Sequence, residues 1–287
     1  MNEYRPRGFR ILPPVVKNLV IINALFFLAT ISLYRYNIDL TSILGLHYPG
    51  APGFKPYQFI TYMFMHGGWD HILFNMFALW MFGGVIENIW GGKKFLIFYI
   101  LTGMGSAVVY IIWIHFTLAP NLNMLNEITA HPTAQAIQQY FNEYGFHINP
   151  YASSLSQADI NTFNRNVNLL EMGRAQHNVI QQIILFLSEY KAEMLNQMVV
   201  VGASGAIFGL LLAFGVMFPD SLIYVYFAIP VKAKWFVLGY GLLELFSGIR
   251  NNAGDNVAHF AHVGGMLVGF LIITYWKKRG KLFNYEI

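Results

Sequence analysis

Long apolar runs dominate the pattern of this chain. Residues 15–34, 69–89, 95–118, 199–218, 235–249 and 257–276 are predominantly apolar, separated by short polar turns and by one long polar stretch, 119–198. A helix needs about 20 mainly apolar residues to cross a bilayer, so these runs predict six transmembrane helices. The fifth is the shortest, and it contains Glu244. Two segments of the polar stretch have helical character. In 133–144, Thr133 can serve as an N-cap. In 179–194, Ile180, Ile183, Ile184 and Leu187 fall at helical spacing. Both are too polar to span, and they suit helices packed on a membrane face or lying in its interface.

Composition agrees with that pattern. The 287 residues are 56% hydrophobic and only 11% charged, whereas soluble domains carry about 25% charged residues. So few charges cannot cover a water-facing surface, which excludes an ordinary soluble globule and equally a disordered chain. There is no Cys, hence no disulfide framework and no thiolate metal site. The expected fold is an all-α polytopic membrane protein, with 1–287 a single membrane domain that carries residues 119–198 as an insert between its third and fourth helices.

A pI near 9.1 would suit a nucleic-acid partner, but the placement of the basic residues explains it better. Arg5, Arg7, Arg10, Lys17, Lys93, Lys94, Lys232, Lys234, Lys277, Lys278, Arg279 and Lys281 all fall on one side of six alternating spans. Basic residues accumulate on the cytoplasmic side. Both termini are therefore expected in the cytoplasm, the insert outside, and the protein in the cell (inner) membrane, with no nucleic acid bound. The first apolar run is too long for a signal-peptide core and no small-residue cleavage pattern follows it, so no signal peptide is expected.

Strongly polar side chains are costly in hydrocarbon and mark function by default. His71 and Asn75 stand in the second run, Ser204 in the fourth and His262 in the sixth. These three spans enter from the same side. Counted from the starts of their runs at 1.5 Å per residue, Asn75, Ser204 and His262 lie roughly 7–9 Å below the outer surface. A serine hydroxyl needs a base to become a nucleophile, and histidine is the usual one. The oxyanion that forms needs donors, and His71 and Asn75, four residues apart, share a helix face and can both donate. The set reads as a Ser–His hydrolase without an evident third member. Gly202 and Gly205 flank the serine region and admit a close-lying substrate backbone.

The same residues have blander readings. Gly205 with Gly209, and Gly265 with Gly269, also fit close helix packing in membranes. His47 and His115 suit simple hydrogen bonding to a neighbour. His259 competes with His262, one turn away, and spacing alone does not separate them; His66 competes with His71 but precedes Trp69, at the outer rim. Glu87, roughly 18 Å beyond Asn75, is too distant for the site and is expected to be a structural acceptor.

Taken together, the motifs resemble the rhomboid family of intramembrane serine proteases. His66-Gly67-Gly68-Trp69-Asp70-His71-Ile72-Leu73-Phe74-Asn75 is similar to that family's His-rich segment and its H-x-x-x-N pair, Gly202-Ala203-Ser204-Gly205 to its G-x-S-G, and Ala261-His262-Val263-Gly264-Gly265 to its A-H-x-x-G. The last match favours His262 over His259. The resemblance implies a six-helix rhomboid-like bundle in which Ser204 is the nucleophile, His262 the base and then the acid, and His71 and Asn75 the oxyanion donors. It implies single-pass or other transmembrane proteins as substrates, entry from the lipid past the fifth helix, a first loop (37–58) bordering the cavity, and no cofactor or metal. Phe208 stands where the family often places an aromatic on the catalytic histidine. The family's W-R pair is replaced here by Tyr57-Gln58, and Val257 stands where Gly is frequent. Three other functions remain open: a catalytically silent relative that only binds membrane helices, a transporter, and a metalloenzyme built on His66, His71, His259 and His262.

Overall fold

A computed structural model describes residues 9–144, 155–225, 228–250, 257–280 and 282. Arg5, Arg7 and Lys281 of the charge argument lie outside the described residues. The main helices are α1 (Pro14–Tyr34), α2 (Trp69–Trp90), α3 (Gly92–Ala130), α4 (Ala134–Tyr144), α5 (Gln157–Glu171), α6 (His177–Asn196), α7 (Ser204–Met217), α8 (Ala233–Arg250) and α9 (His259–Lys278). Strands β1 (Leu222–Val225) and β2 (Ile229–Lys232) pair antiparallel between α7 and α8, with Ile223 opposite Val231. The chain forms two compact units. One comprises residues 1–46, 56–111 and 200–287, the other residues 47–55 and 112–199.

Four helices, α1, α2, α3 and α9, are long and apolar enough to cross a membrane. The protein is thus a multi-pass membrane protein. The other two apolar runs also form helices: α7 has 14 residues, and α8 has 18 but carries Lys234, Glu244 and Arg250. The first turn of α1, which begins at Pro14, needs acceptors because helix N-termini leave N–H groups unpaired. The two oxygens of Glu87, near the end of α2, accept from Val15 N at 2.9 Å and Val16 N at 2.8 Å. The buried carboxylate also faces the positive end of the helix dipole. This is the structural role expected of it.

Glycine sets how α7 meets α9. A Cβ added to Gly265 would collide with the carbonyl of Gly205, and one added to Gly269 would lie 3.1 Å from the Gly209 Cα. The two backbones therefore touch along Gly205/Gly209 and Gly265/Gly269, the small-residue arrangement that lets membrane helices approach closely. From α3, Ser106 Oγ donates to the Ala261 carbonyl at 2.6 Å and ties a third helix to the residue preceding His262.

The second unit is a small helical body, so the polar stretch is folded over its described part. Leu125 and Ile128 from the end of α3, Ile137 and Tyr140 from α4, Phe163 from α5, and Ile183 and Phe186 from α6 share one core. Phe163 stacks on Phe186 with ring centroids 4.2 Å apart. Thr133 caps α4 as expected, its hydroxyl accepting from Ala136 N at 3.1 Å. His115 hydrogen-bonds Tyr48 at 2.8 Å, in line with its bland reading.

Two boundaries differ from the hydropathy pattern by several residues, and one helix is additional to it. α3 does not stop at 118 but runs on to Ala130 through Pro120. Proline removes one ladder bond, and the helix continues because Leu125 and Ile128 are buried beyond it. α5 is absent from the helices expected above, although Ile160, Phe163, Val167 and Leu170 fall at helical spacing behind the Ser156 cap. The fourth run is not helical from its start: Val199 and Val200 are extended, Gly202 has a φ of 125°, and the helix begins at Ser204. The depth of Ser204 counted as helical rise from 199 is therefore superseded. A turn, not a helix, carries the chain to that residue.

Candidate active site

The strained turn before α7 brings the serine to the helix N-terminus. Gly202 N donates to the Tyr62 carbonyl at 2.9 Å, and a φ of 125° is one that side-chain-bearing residues rarely adopt. Gly202 is required for a second reason. A Cβ there would lie 2.7 Å from His71 Nε2 and 3.5 Å from Ser204 Oγ, so the His71 ring packs on the bare backbone beside the hydroxyl. Ser204 is the first residue of α7, and the N–H groups of that first turn have no intrahelical acceptor.

His262 enters from the first turn of α9. Its Nε2 lies 2.8 Å from Ser204 Oγ. Its ring lies flat on Phe208, with centroids 4.2 Å apart and planes at 7°, which removes most of its freedom to rotate. Phe208 is four residues after Ser204, so one helix supplies both the hydroxyl and the surface that orients the imidazole. The geometry separates the two competing histidines. His262 reaches Ser204, and His259 hydrogen-bonds Glu244 through its Nδ1 at 2.6 Å.

On α2, His71 and Asn75 lie one turn apart. Asn75 is buried, and its Nδ2 has no hydrogen-bond partner among the described residues. A buried N–H donor without an acceptor costs about 1–3 kcal/mol, so an oxyanion would repair a deficit that already exists. His66, which precedes α2, is buried, 3% exposed, and its ring stands edge-on to His71 at 5.0 Å. Burial, with His71 nearby, pushes its imidazole down to about 4, which keeps it neutral at physiological pH.

One neighbour of the site was not picked out in the sequence. Glu244 Oε2 on α8 sits 2.8 Å from His262 Nδ1, on the opposite side of the ring from Ser204. Its only signal was a carboxylate within an otherwise apolar run. As metal chemistry, the four-histidine set does not assemble as such. The described groups close enough to share an ion are Glu244, His259 and His262, with ligand atoms within 4.8 Å of one another. They are already hydrogen-bonded as an acceptor with two donors.

A hydroxyl hydrogen-bonded to an oriented imidazole, next to free backbone and amide donors, can perform acyl transfer. Residues 53–118 and 170–279 match the rhomboid domain. Over 92 residues the chain is 33% identical to the rhomboid-like protein 11, chloroplastic, of Arabidopsis thaliana, covering 30% of this chain and 32% of that protein. Over 73 residues it is 32% identical to the rhomboid protease GlpG of Salmonella newport, covering 25% of this chain and 26% of that protein. The matches thus span about a third or less of these curated relatives.

Proposed function

The chain belongs to the rhomboid family, and on that premise we propose that it is an intramembrane serine protease that cleaves transmembrane proteins in or next to their spans. The observation that carries this reading is the 2.8 Å contact between Ser204 Oγ and His262 Nε2. Ser204 Oγ attacks the scissile carbonyl carbon and its proton passes to His262 Nε2. The negative charge on the carbonyl oxygen meets donors from His71, Asn75 and the first turn of α7. His262 then returns the proton to the leaving amine as the C–N bond breaks. Water, activated by the same imidazole, hydrolyses the acyl-enzyme and frees Ser204.

Substrates reach the site from the lipid past α8. That helix buries only Ala233, Val237, Glu244 and Gly248 and exposes Trp235, Leu238, Leu242, Leu243, Phe246 and Ile249, so few side chains besides Glu244 hold it in place. The distribution of Lys and Arg supports six spans in a cell membrane, both termini in the cytoplasm and the insert outside. A paired hydroxyl and imidazole favour a working enzyme over a silent helix-binding relative. The reading is tested by reconstituting the protein with a reporter transmembrane substrate in liposomes. Cleavage should occur with the native chain and be lost in Ser204→Ala and in His262→Ala. Cleavage by Ser204→Ala would overturn it.

A further inference from the structure

Glu244 is the only carboxylate on α8, and it is buried. The contact it makes there is built with care. Gly241, Glu244 and Gly248 form one stripe of α8. A Cβ on Gly241 would lie 3.0 Å from the Met266 Cε, and one on Gly248 2.7 Å from the Phe260 ring and 3.1 Å from the His259 Cβ. Small residues above and below thus let the helix approach α9 at the level of His259 and His262. A carboxylate held at that depth is costly unless it is paired. Glu244 is 4% exposed, and both nitrogens facing its Oε2 are imidazole Nδ1 atoms, His262 at 2.8 Å and His259 at 2.6 Å.

Resting on the protease reading, we propose that Glu244 is the positioning residue of the catalytic base, giving a series Ser204–His262–Glu244 with His259 as the second donor that steadies the carboxylate. An ionised carboxylate only accepts, so Nδ1 of His262 must carry the ring proton. In the neutral imidazole Nε2 is then unprotonated and faces Ser204 Oγ, the one tautomer able to take the hydroxyl proton. When that proton moves, positive charge forms on a ring whose Nδ1 is already bonded to the carboxylate, the role played by Asp in Ser–His–Asp enzymes. The His259 ring meets that of His262 nearly perpendicular, at 85° with centroids 6.4 Å apart. Two ring nitrogens on one oxygen hold the Oε2 end of the carboxylate between them.

A tie that only fastens α8 to α9 would use the same bonds, so the test must separate the two roles. Glu244→Gln keeps the shape and one acceptor oxygen, and a fastening role survives it. Under the proposal Glu244→Gln lowers kcat by roughly 10²–10⁴-fold, the upper figure being the loss when a triad aspartate becomes its amide. KM for the reporter substrate should stay within about twofold, because the carboxylate never touches substrate. Glu244→Asp should recover part of the rate. The native chain, labelled with ¹⁵N-histidine, should show His262 at neutral pH with a protonated Nδ1 and an unprotonated Nε2. Wild-type kcat in Glu244→Gln, or the opposite tautomer in the native chain, would overturn the proposal. The tautomer measurement needs no variant to fold. Loss of cleavage in Ser204→Ala with full activity in Glu244→Gln would remove this inference and leave the protease reading intact, whereas unaffected cleavage in Ser204→Ala would remove both.

Discussion

Gly265→Ala is the sharpest mechanical test of how the dyad is assembled. The new methyl would collide with the Gly205 carbonyl, one residue from Ser204. Neither atom can rotate away, since one is backbone and the other is fixed to its Cα. Restoring van der Waals separation therefore requires α7 and α9 to part by about 1 Å or more. His262 sits one turn from the point of contact, so its 2.8 Å bond to Ser204 lengthens to roughly 4 Å, outside hydrogen-bond range. Misplacement of about 1 Å costs on the order of 10²-fold in rate, and overpacking costs about 1–3 kcal/mol of stability. Gly269→Ala is the control one turn on. Its Cβ would lie 3.1 Å from the Gly209 Cα and 3.3 Å from the Gly209 carbonyl, which asks the helices to yield by only a few tenths of an ångström. Reporter cleavage and thermal unfolding in detergent should show Gly265→Ala severely impaired and Gly269→Ala mildly so. Equal activity in the two variants, or a reversed order, would refute the argument that this glycine contact sets the dyad distance.

Asn75→Ala should lower turnover by about 10²–10³-fold, as removal of one oxyanion donor does, and an unchanged rate would take Asn75 out of that role. His66 has its pKa lowered in the fold from 6.5 to about 4. The unfolded chain therefore binds a proton that the folded chain refuses, and stability falls as pH drops from 6.5 towards 4, by about 3 kcal/mol at most. His66→Phe should flatten that part of a melting-temperature profile relative to the native chain, and identical profiles would contradict the burial argument. Glu87→Ala strips the acceptor from two first-turn N–H groups of α1 and should cost roughly 2 kcal/mol, read from unfolding in detergent. Chelators should leave proteolysis unchanged; inhibition by them would point to an ion at Glu244, His259 and His262.

Much of this was legible in the sequence because hydrocarbon is an unforgiving solvent. Polar residues inside apolar runs are few, and Ser204, His262, His71 and Asn75 could be picked out without knowing how the helices pack. The glycines at 205, 209, 265 and 269 carried the packing as well, and the structural reading of them coexists with the catalytic one. What remained hidden depended on three-dimensional company. Glu244 read only as a flaw in the fifth run, because its meaning lies in two imidazoles from α9, 15 and 18 residues away. The choice between His259 and His262 likewise turns on which ring faces α7, and no spacing within α9 reveals that. The start of α7 at Ser204 followed from the positive φ of Gly202, to which hydropathy is blind. α5 escaped notice although Ile160, Phe163, Val167 and Leu170 repeat at helical spacing; the Asn, Asp and Gln between them give the segment the composition of a loop, and Ile160, Phe163 and Leu170 are buried in the core of the second unit.

The claim on which the account rests is that Ser204 is an activated nucleophile. Treating the native protein in detergent with a fluorophosphonate, then locating the adduct by peptide mass spectrometry, tests it most directly. The account predicts a covalent adduct on Ser204, formed far more slowly in His262→Ala and absent in Ser204→Ala. No adduct on the native chain, or one at another residue that persists in Ser204→Ala, would contradict it.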